Sequence, residues 1–499
     1  MTEDSAEPTP DVEDLPDLPI GIDATGMRTE SDSLGEVLVP ADHYWGAQTQ
    51  RSLEHFSIGD DRMPIEIYRA FGYVKKAAAI VNAQNGQLPA WKSTLIQRAC
   101  DEVVAGALDD EFPLYVWQTG SGTQSNMNVN EVIANRCIQL VGGRLGSQQP
   151  IHPNDDVNMS QSSNDTFPTA MHLASYTLTT EGTIPALVRL RESIESKSRE
   201  WDSVVKIGRT HLQDATPLTV GQEWSGYGAA LEDAIADVER STQQLLAVAM
   251  GGTAVGTGLN APAGFADQVA DVLAAITGHP FRTADNKFAA QATADEMVRA
   301  HSALKSSAVT LFKIANDLRW LGSGPRAGLM ELLLPANEPG SSIMPGKVNP
   351  TQAESMLMVC IQVMASDVAV QMGGAEGNFE LNAFRPLIVS NYLRSARNLR
   401  DSADSFRTHL IEGTQLNLKT LDHNVQRSVM MVTALSPLIG YDRASEIAHH
   451  AVEHDLPLRD AALAKGVPED VYDEVVQPLT MTQPTQPTQT TPTSQPERP

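Results

Sequence analysis

Four segments of this 499-residue chain combine glycine, hydroxyls, amides and single charged groups in a way that a hydrophobic core does not want. The first is Thr119-Gly120-Ser121-Gly122-Thr123-Gln124-Ser125-Asn126-Met127-Asn128, with Ser121 and Thr123 in a flexible turn just ahead of a helical pattern. Free backbone N–H groups and the helix dipole favour an anion at such a point. A plain N-cap needs one hydroxyl, and this stretch offers several. The second, Ser160-Gln161-Ser162-Ser163-Asn164-Asp165, again runs into a helix, at about Thr166. Its hydroxyls and amide can bind a carboxylate through neutral donors, or simply form a polar turn capped by Asn164 or Asp165.

The third segment is Gly208-Arg209-Thr210-His211-Leu212-Gln213-Asp214. A lone histidine is more often structural, but beside a hydroxyl and with a carboxylate orienting its ring it becomes a general acid–base. The fourth is Gly340-Ser341-Ser342-Ile343-Met344-Pro345-Gly346-Lys347-Val348-Asn349-Pro350. Two glycines and two prolines make an irregular loop that can be held open or closed. It carries a hydroxyl pair, one ammonium and one amide. Glu354 follows in the first turn of the next helix, where the dipole favours a carboxylate. Together the four segments suit moving a proton next to a carboxylate, with Lys347 and helix N-termini stabilising the negative charge that develops.

No metal set and no cofactor loop accompanies these groups. Gly340 to Lys347 imitates a phosphate-binding loop, but five residues separate its glycines instead of four, and Val348 stands where a magnesium-binding hydroxyl belongs. Gly251-Gly252-Thr253-Ala254-Val255-Gly256-Thr257-Gly258 follows a helix and fits no dinucleotide register. His449, His450 and His454 lack a carboxylate or thiol partner and read as surface residues. Cys100, Cys137 and Cys360 are odd in number and far apart, so neither a disulfide framework nor a structural zinc site is expected. The acidic start Met1-Thr2-Glu3-Asp4 is no signal peptide, and the longest apolar run, Met356 to Ile361, is far short of the ~18 residues of a membrane span. These features predict a soluble protein of a reducing cytoplasm. A net charge of −26 argues against nucleic acid and anionic membrane as partners, and looks unfavourable for an anionic substrate.

The elements that must position these groups are long helices. Met297, Ala300, Leu304, Ala308, Leu311, Ala315 and Leu318 form one stripe of a helix of about 28 residues, capped near Thr293 and ended at Gly322. A second helix is expected from Thr351 to Met372, stopping at Gly373-Gly374. Others are expected from Thr169 to about Trp201, interrupted near Gly182 and Pro185, and from Val220 to about Met250. Strand signals are scarce, Glu36 to Val39 being the clearest. Helices this long suggest an all-α bundle. Residues 1–20 hold seven acids, no bases and four prolines, and Gln483 to Pro499 is a Gln/Pro/Thr tract with five prolines; both are expected to lie outside the fold.

These four motifs, with Trp45-Gly46-Ala47-Gln48-Thr49-Gln50-Arg51-Ser52, resemble the fumarase/aspartase superfamily over nearly the whole chain, from about Arg28 to Leu479. The loop from Gly340 to Pro350 resembles that superfamily's signature. Within it the chain is most similar to the class II, iron-independent fumarate hydratases. His211 stands where aspartases typically place Gln, and Leu334-Pro335-Ala336-Asn337-Glu338-Pro339 is fumarase-like. The resemblance implies an all-α, three-domain fold: an acidic tail (1–27), an N-terminal domain (28–161), a helical bundle (162–418), a small C-terminal domain (419–480) and a low-complexity tail (481–499). It also implies a homotetramer with each active site drawn from three chains, no cofactor, and reversible anti addition of water to fumarate. Aspartate ammonia-lyase, or another fumarate-releasing lyase of the same superfamily, is the alternative, and a protein on an inactivated lyase scaffold a more distant one.

By resemblance, Ser341 takes the C3 proton of malate, and Lys347 and Asn349 stabilise the resulting aci-carboxylate. His211, held by Glu354, handles the water at C2. Ser121, Gly122, Thr123, Ser163, Asn164, Thr210, Ser342 and Val348 belong to the substrate-binding set, with Ser162 adjacent. His152-Pro153-Asn154-Asp155 resembles a secondary dicarboxylate site, but Gln148-Gln149 occupy the region where an Arg is usual, so weaker anion binding is expected there.

Overall fold

Apolar residues at three- and four-residue spacing form helices along most of the chain, and strands survive mainly as hairpins. The computed structural model describes residues 18–484. An antiparallel hairpin, β1 (Met27–Asp32) and β2 (Gly35–Pro40), precedes α1 (Ala47–His55), α2 (Ile65–Gln84), α3 (Ala90–Val104), α4 (Thr123–Leu140), α5 (Ser163–Leu178) and α6 (Ile184–Glu200). A second hairpin, β3 (Val205–Thr210) and β4 (Gln213–Thr219), leads into α7 (Val220–Thr242). Then come α8 (Phe265–Thr277), α9 (Lys287–Ala292), α10 (Asp295–Leu321), α11 (Thr351–Ala375) and α12 (Arg385–Phe406). Five smaller helices close the chain: α13 (Leu418–Arg427), α14 (Ser436–Ile439), α15 (Tyr441–Glu453), α16 (Leu458–Ala464) and α17 (Glu469–Val475).

The all-α expectation holds, with local differences. All seven stripe residues from Met297 to Leu318 are buried on α10. The break near Gly182 is a π-helical turn over Thr179–Thr183, which lets the chain enter α6 with Pro185 in its first turn, where no backbone donor is needed. The glycines at 373 and 374 do not stop α11, which continues to Ala375. The hairpin β3–β4 carries little sequence signal, because it lacks an Asn-Gly or Asp-Gly turn and contains Pro217.

The chain divides into two units. The first comprises residues up to Ala186, Ala234–Val309 and Met358–Ser402. There α2 packs against α3, α5 and α8, burying Ile67, Phe71, Val74 and Ala78. Residues 18–21, inside the stretch expected to be unstructured, are held because buried Arg136 needs acceptors. It pairs with Glu102 and donates to the Leu18 carbonyl at 2.8 Å, and the Tyr44 hydroxyl donates to the Gly21 carbonyl at 3.1 Å. Most of both expected tails lies outside the described residues.

The second unit comprises Leu187–Asp233, Thr310–Leu357 and the chain from Ala403. Its C-terminal helices gather Leu435, Ile447, Leu458 and Ala461 around Ile207 of β3.

α11 is long and apolar enough to cross a membrane by length and composition. Its apolar residues, however, lie on two sides. Met356, Cys360, Val363 and Val370 are buried, whereas Met358, Ile361, Ala365, Val368 and Met372 are exposed at alternating steps of three and four. That second row has the spacing of a helix–helix seam.

Candidate active site

In the first unit the candidate groups sit at two helix starts. Gly122, in the left-handed region (φ 79°), begins α4. A Cβ on it would lie 2.1 Å from the Phe167 ring, and one on Gly120 would lie 1.3 Å from the Ala383 carbonyl oxygen. Only glycine allows these approaches, and they fix the turn that carries Ser121. The Ser121 and Thr123 hydroxyls lie 2.8 Å apart.

At the start of α5 the cap is Ser162, neither Asn164 nor Asp165 as the plain polar-turn reading expects. The Ser162 Oγ accepts from the Asn164 N–H at 3.1 Å, and Asp165 accepts in return from the Ser162 N–H at 2.9 Å. The second Asp165 oxygen accepts from the N–H groups of Gly251 and Thr253 at 3.0 and 2.9 Å. The glycine-rich turn beginning at Gly251 thus uses two of its donors on a buried aspartate. Burial pushes the Asp165 carboxyl up, against these hydrogen bonds. Ser163 Oγ accepts from Asn126 Nδ2 at 3.1 Å, and Asn164 donates to the Ala254 carbonyl at 2.8 Å.

In the second unit most candidate groups are exposed, Ser341 and Asn349 being half-buried. Thr210 ends β3 and pairs with Gln213, so His211 and Leu212 are the two-residue tip of the hairpin. Both have left-handed backbones, φ 57° and 60°. The tight hairpin turn demands this, and each non-glycine residue costs roughly 1–2 kcal/mol there. The strand below is anchored by charge. Arg209 reaches Glu331 at 2.6 Å, and buried Lys206 reaches Glu331 at 2.9 Å and Glu223 at 2.7 Å. Burial pushes the Glu331 carboxyl up, but the two cations outweigh it and hold the group below its ordinary value.

The loop from Gly340 to Pro350 is closed at its base. A Cβ on Gly340 would lie 1.6 Å from the Lys347 carbonyl oxygen, and Asn349 donates to the Gly340 carbonyl. Ser341 Oγ accepts from the N–H groups of Met344 at 3.0 Å and Ile343 at 3.3 Å. Ser342, Lys347 and Val348 are exposed, as is Glu354 in the first turn of α11. Among the described residues, no hydrogen bond joins His211 to Glu354 within one chain. The fold therefore brings together Ser121 with Thr123, and Ser341 with the Asn349 end of its loop, while no bond links His211 to Glu354.

At the expected secondary site, His152 Nδ1 accepts from the N–H groups of Asn154 and Asp155 at 3.2 and 3.1 Å, capping the turn Pro153–Val157. The adjoining cavity, about 240 Å³, is lined by Glu30, Asp32 and Glu131 as well as His152, Pro153 and Asn154, and no Lys or Arg lines it.

Two features escaped the sequence reading. Buried Lys75 and Asn126 form a polar cluster with half-buried Asn158 beside Ser163. Lys75 follows Phe71 by four residues on the buried face of α2, a position that marks it as an inward lysine. The other is a lookalike of a catalytic triad, in which His301 lies 2.9 Å from both Asp367 and Ser395. His301 is 0% and Ser395 1% exposed, so no substrate reaches that serine, and the trio ties helices together.

Comparison with known proteins places this geometry in context. Residues 35–365 match a family model described as lyase, and residues 431–483 match one described as fumarase C C-terminus. A class II fumarate hydratase of Methanosarcina acetivorans is 64% identical, over 93% of this chain and 96% of its own. One of Ralstonia nicotianae is 57% identical, over 91% and 99%. The crystal structure of a class II fumarase from Schistosoma mansoni superposes with a TM-score of 0.89 at 42% identity, over 92% and 99%.

Proposed function

The chain belongs to the class II fumarate hydratase family, and on that premise we propose that it catalyses the reversible anti addition of water to fumarate, giving (S)-malate, a reaction of the tricarboxylic acid cycle. Ser121, Thr123, Ser163 and Asn164, with Gly122 shaping their turn and Ser162 beside them, hold substrate carboxylates through neutral donors and helix starts. Thr210, Ser342 and Val348 complete the binding set. Such local donors explain how a chain of net charge −26 accepts a dianion.

The observation that carries the chemistry is the pair of N–H groups aimed at Ser341 Oγ. An ordinary hydroxyl is a poor base. Two backbone donors stabilise its alkoxide and lower the cost of ionising it, so Ser341 can take the C3 proton of malate. The carbanion delocalises into the adjacent carboxylate, and Lys347 and Asn349 receive that charge. His211, oriented by Glu354, delivers a proton to the hydroxyl leaving C2 as water.

His211 and Glu354 are unpaired within one chain, which supports a homotetramer whose sites each draw on three chains. The exposed seam on α11 supports the same assembly. The three-domain division, with 162–418 as the bundle, belongs to this proposal. The cavity beside His152 to Asp155 offers a dianion no cation in its lining, since Arg28 and Arg51 are spent on its Glu30 and Asp32, and this supports weak dianion binding at the secondary site. Ultraviolet absorbance of fumarate, followed with malate and then with aspartate, tests the reading. Fumarate from malate alone is expected; fumarate from aspartate alone would mean ammonia-lyase chemistry, and none from either would overturn both.

A further inference from the structure

We infer that Lys75 is a positioning residue: it sets the direction of a chain of buried hydrogen bonds so that the Ser163 hydroxyl hydrogen is left free for a substrate carboxylate. The inference rests on the proposed role of Ser163 as a carboxylate donor.

Lys75 is 0% exposed, and among the described residues its hydrogen-bond partners are amide oxygens and no carboxylate. Its Nζ donates to Asn158 Oδ1 at 2.9 Å and to Gln161 Oε1 at 3.0 Å. The Gln161 amide is fixed independently, because its nitrogen donates to the carbonyls of Val157 and Met159 at 3.1 and 2.9 Å. An ammonium has donors and no acceptor, so the Asn158 oxygen must face it; reversing that amide would set donor against donor. The other bonds made by the Asn158 side chain, to the Gln161 carbonyl and from Asn130, are longer at 3.3 Å.

With the Asn158 oxygen fixed, Asn126 must present its NH2 group to it, at 3.1 Å. The same nitrogen meets Ser163 Oγ at 3.1 Å; the Thr166 hydroxyl lies 3.2 Å from the Asn126 oxygen but makes its shorter bond, 2.8 Å, to the Ser162 carbonyl, so it does not by itself fix the Asn126 amide. Nitrogen donates and the serine oxygen accepts. The Ser163 hydrogen is therefore not used inside the cluster and points outward. Without Lys75 only the two 3.3 Å bonds, to the Gln161 carbonyl and from Asn130, still hold the Asn158 amide; when these weak bonds give way the two amides reverse together, and Ser163 then donates inward to Asn126.

Burial pushes the Lys75 ammonium down to about 7, with Asp165 acting against it. Holding a cation in this position is costly, and a merely space-filling role is served better by Met.

The test is a pair of substitutions and their combination, read by KM and kcat on malate and fumarate. Ser163→Ala is expected to raise KM about tenfold, the scale of one hydrogen bond to a charged group, with kcat nearly unchanged. Lys75→Met is expected to raise KM to a similar extent and to add almost nothing in the Ser163→Ala background. An inactive parent protein, or an unchanged KM in Ser163→Ala, would refute the reading of the site itself. A normal KM in Lys75→Met, or effects that multiply in the double variant, would refute the role of Lys75 alone. If Lys75→Met does not fold, Asn158→Leu removes the amide it orients and carries the same expectation. Loss of folding in both would show the cluster to be structural and overturn the inference.

Discussion

The two units treat their candidate groups in opposite ways. In the first, Ser121, Thr123 and Ser163 are locked by close glycine contacts, a capping box and buried amides, all within one chain. In the second, His211, Ser341, Lys347 and Glu354 stand on a hairpin tip, a loop and a helix start, with little of their own chain around them. The difference teaches a division of labour. Groups that bind must be in place beforehand, because each neutral donor is weak and gains from being preorganised. On the proposed assignment, the groups that react, with Thr210, Ser342 and Val348 beside them, stand on strained or exposed backbone, where loop closure and the neighbouring chains of the proposed assembly would complete their surroundings.

Substitutions can break this contrast or sharpen it. The largest effect is expected for Ser341→Ala, a loss of about a thousandfold in kcat in both directions, the range of a general base, with an unchanged melting curve. Near-normal turnover would remove Ser341 from the chemistry. Next is Glu331→Gln, which leaves Lys206 and Arg209 without their shared buried anion. Chemical denaturation should show a loss of about 3 kcal/mol at neutral pH. Because the Glu331 carboxyl lies below its ordinary value in the fold, its contribution is present above about pH 4.5 and fades as the pH falls through the folded value. The variant should therefore lose part of the parent's decline in stability at acid pH; an identical acid limb would exclude the group. The smallest effect is expected for Leu212→Gly. Relief of the left-handed backbone should raise stability by about 0.5–1 kcal/mol, while looser placement of His211 lowers kcat a few-fold. A rise in both would mean that the strain has no catalytic use.

What could be read from the residues follows the same contrast. The stripe from Met297 to Leu318 repeats every three or four positions, and nothing competes with that pattern, so α10 was legible almost to the residue. The turn around Ser121 was legible because hydroxyls and glycines crowd together there. The cap at Ser162 was not, because Asn164 and Asp165 are equally good caps by residue type and only the reciprocal Ser162–Asp165 bonds decide between them. The hairpin that carries His211 was not. Its tip uses His-Leu where favoured turn residues would announce it, and its stability comes from Glu331, more than a hundred residues away. Lys75 was hidden for a related reason. A lysine on a helix ordinarily faces water, and only the burial of its neighbours on α2 reveals that this one does not. Glu354 is legible as a first-turn carboxylate, but what it orients is not decided within a single chain.

On the proposed assembly, the exposed seam on α11 makes catalysis a question of how many molecules are present. Met358, Ile361, Val368 and Met372 are each more than half exposed in the single chain. On the proposed assembly, dissociation uncovers them and dismantles the sites in one event, so association and activity share one equilibrium. Specific activity should then fall on dilution and recover on concentration, and Val368→Lys should shift that midpoint to higher protein concentration. Activity independent of dilution down to separated chains would show that one chain suffices. The protein would thus sense its own abundance without any regulatory ligand.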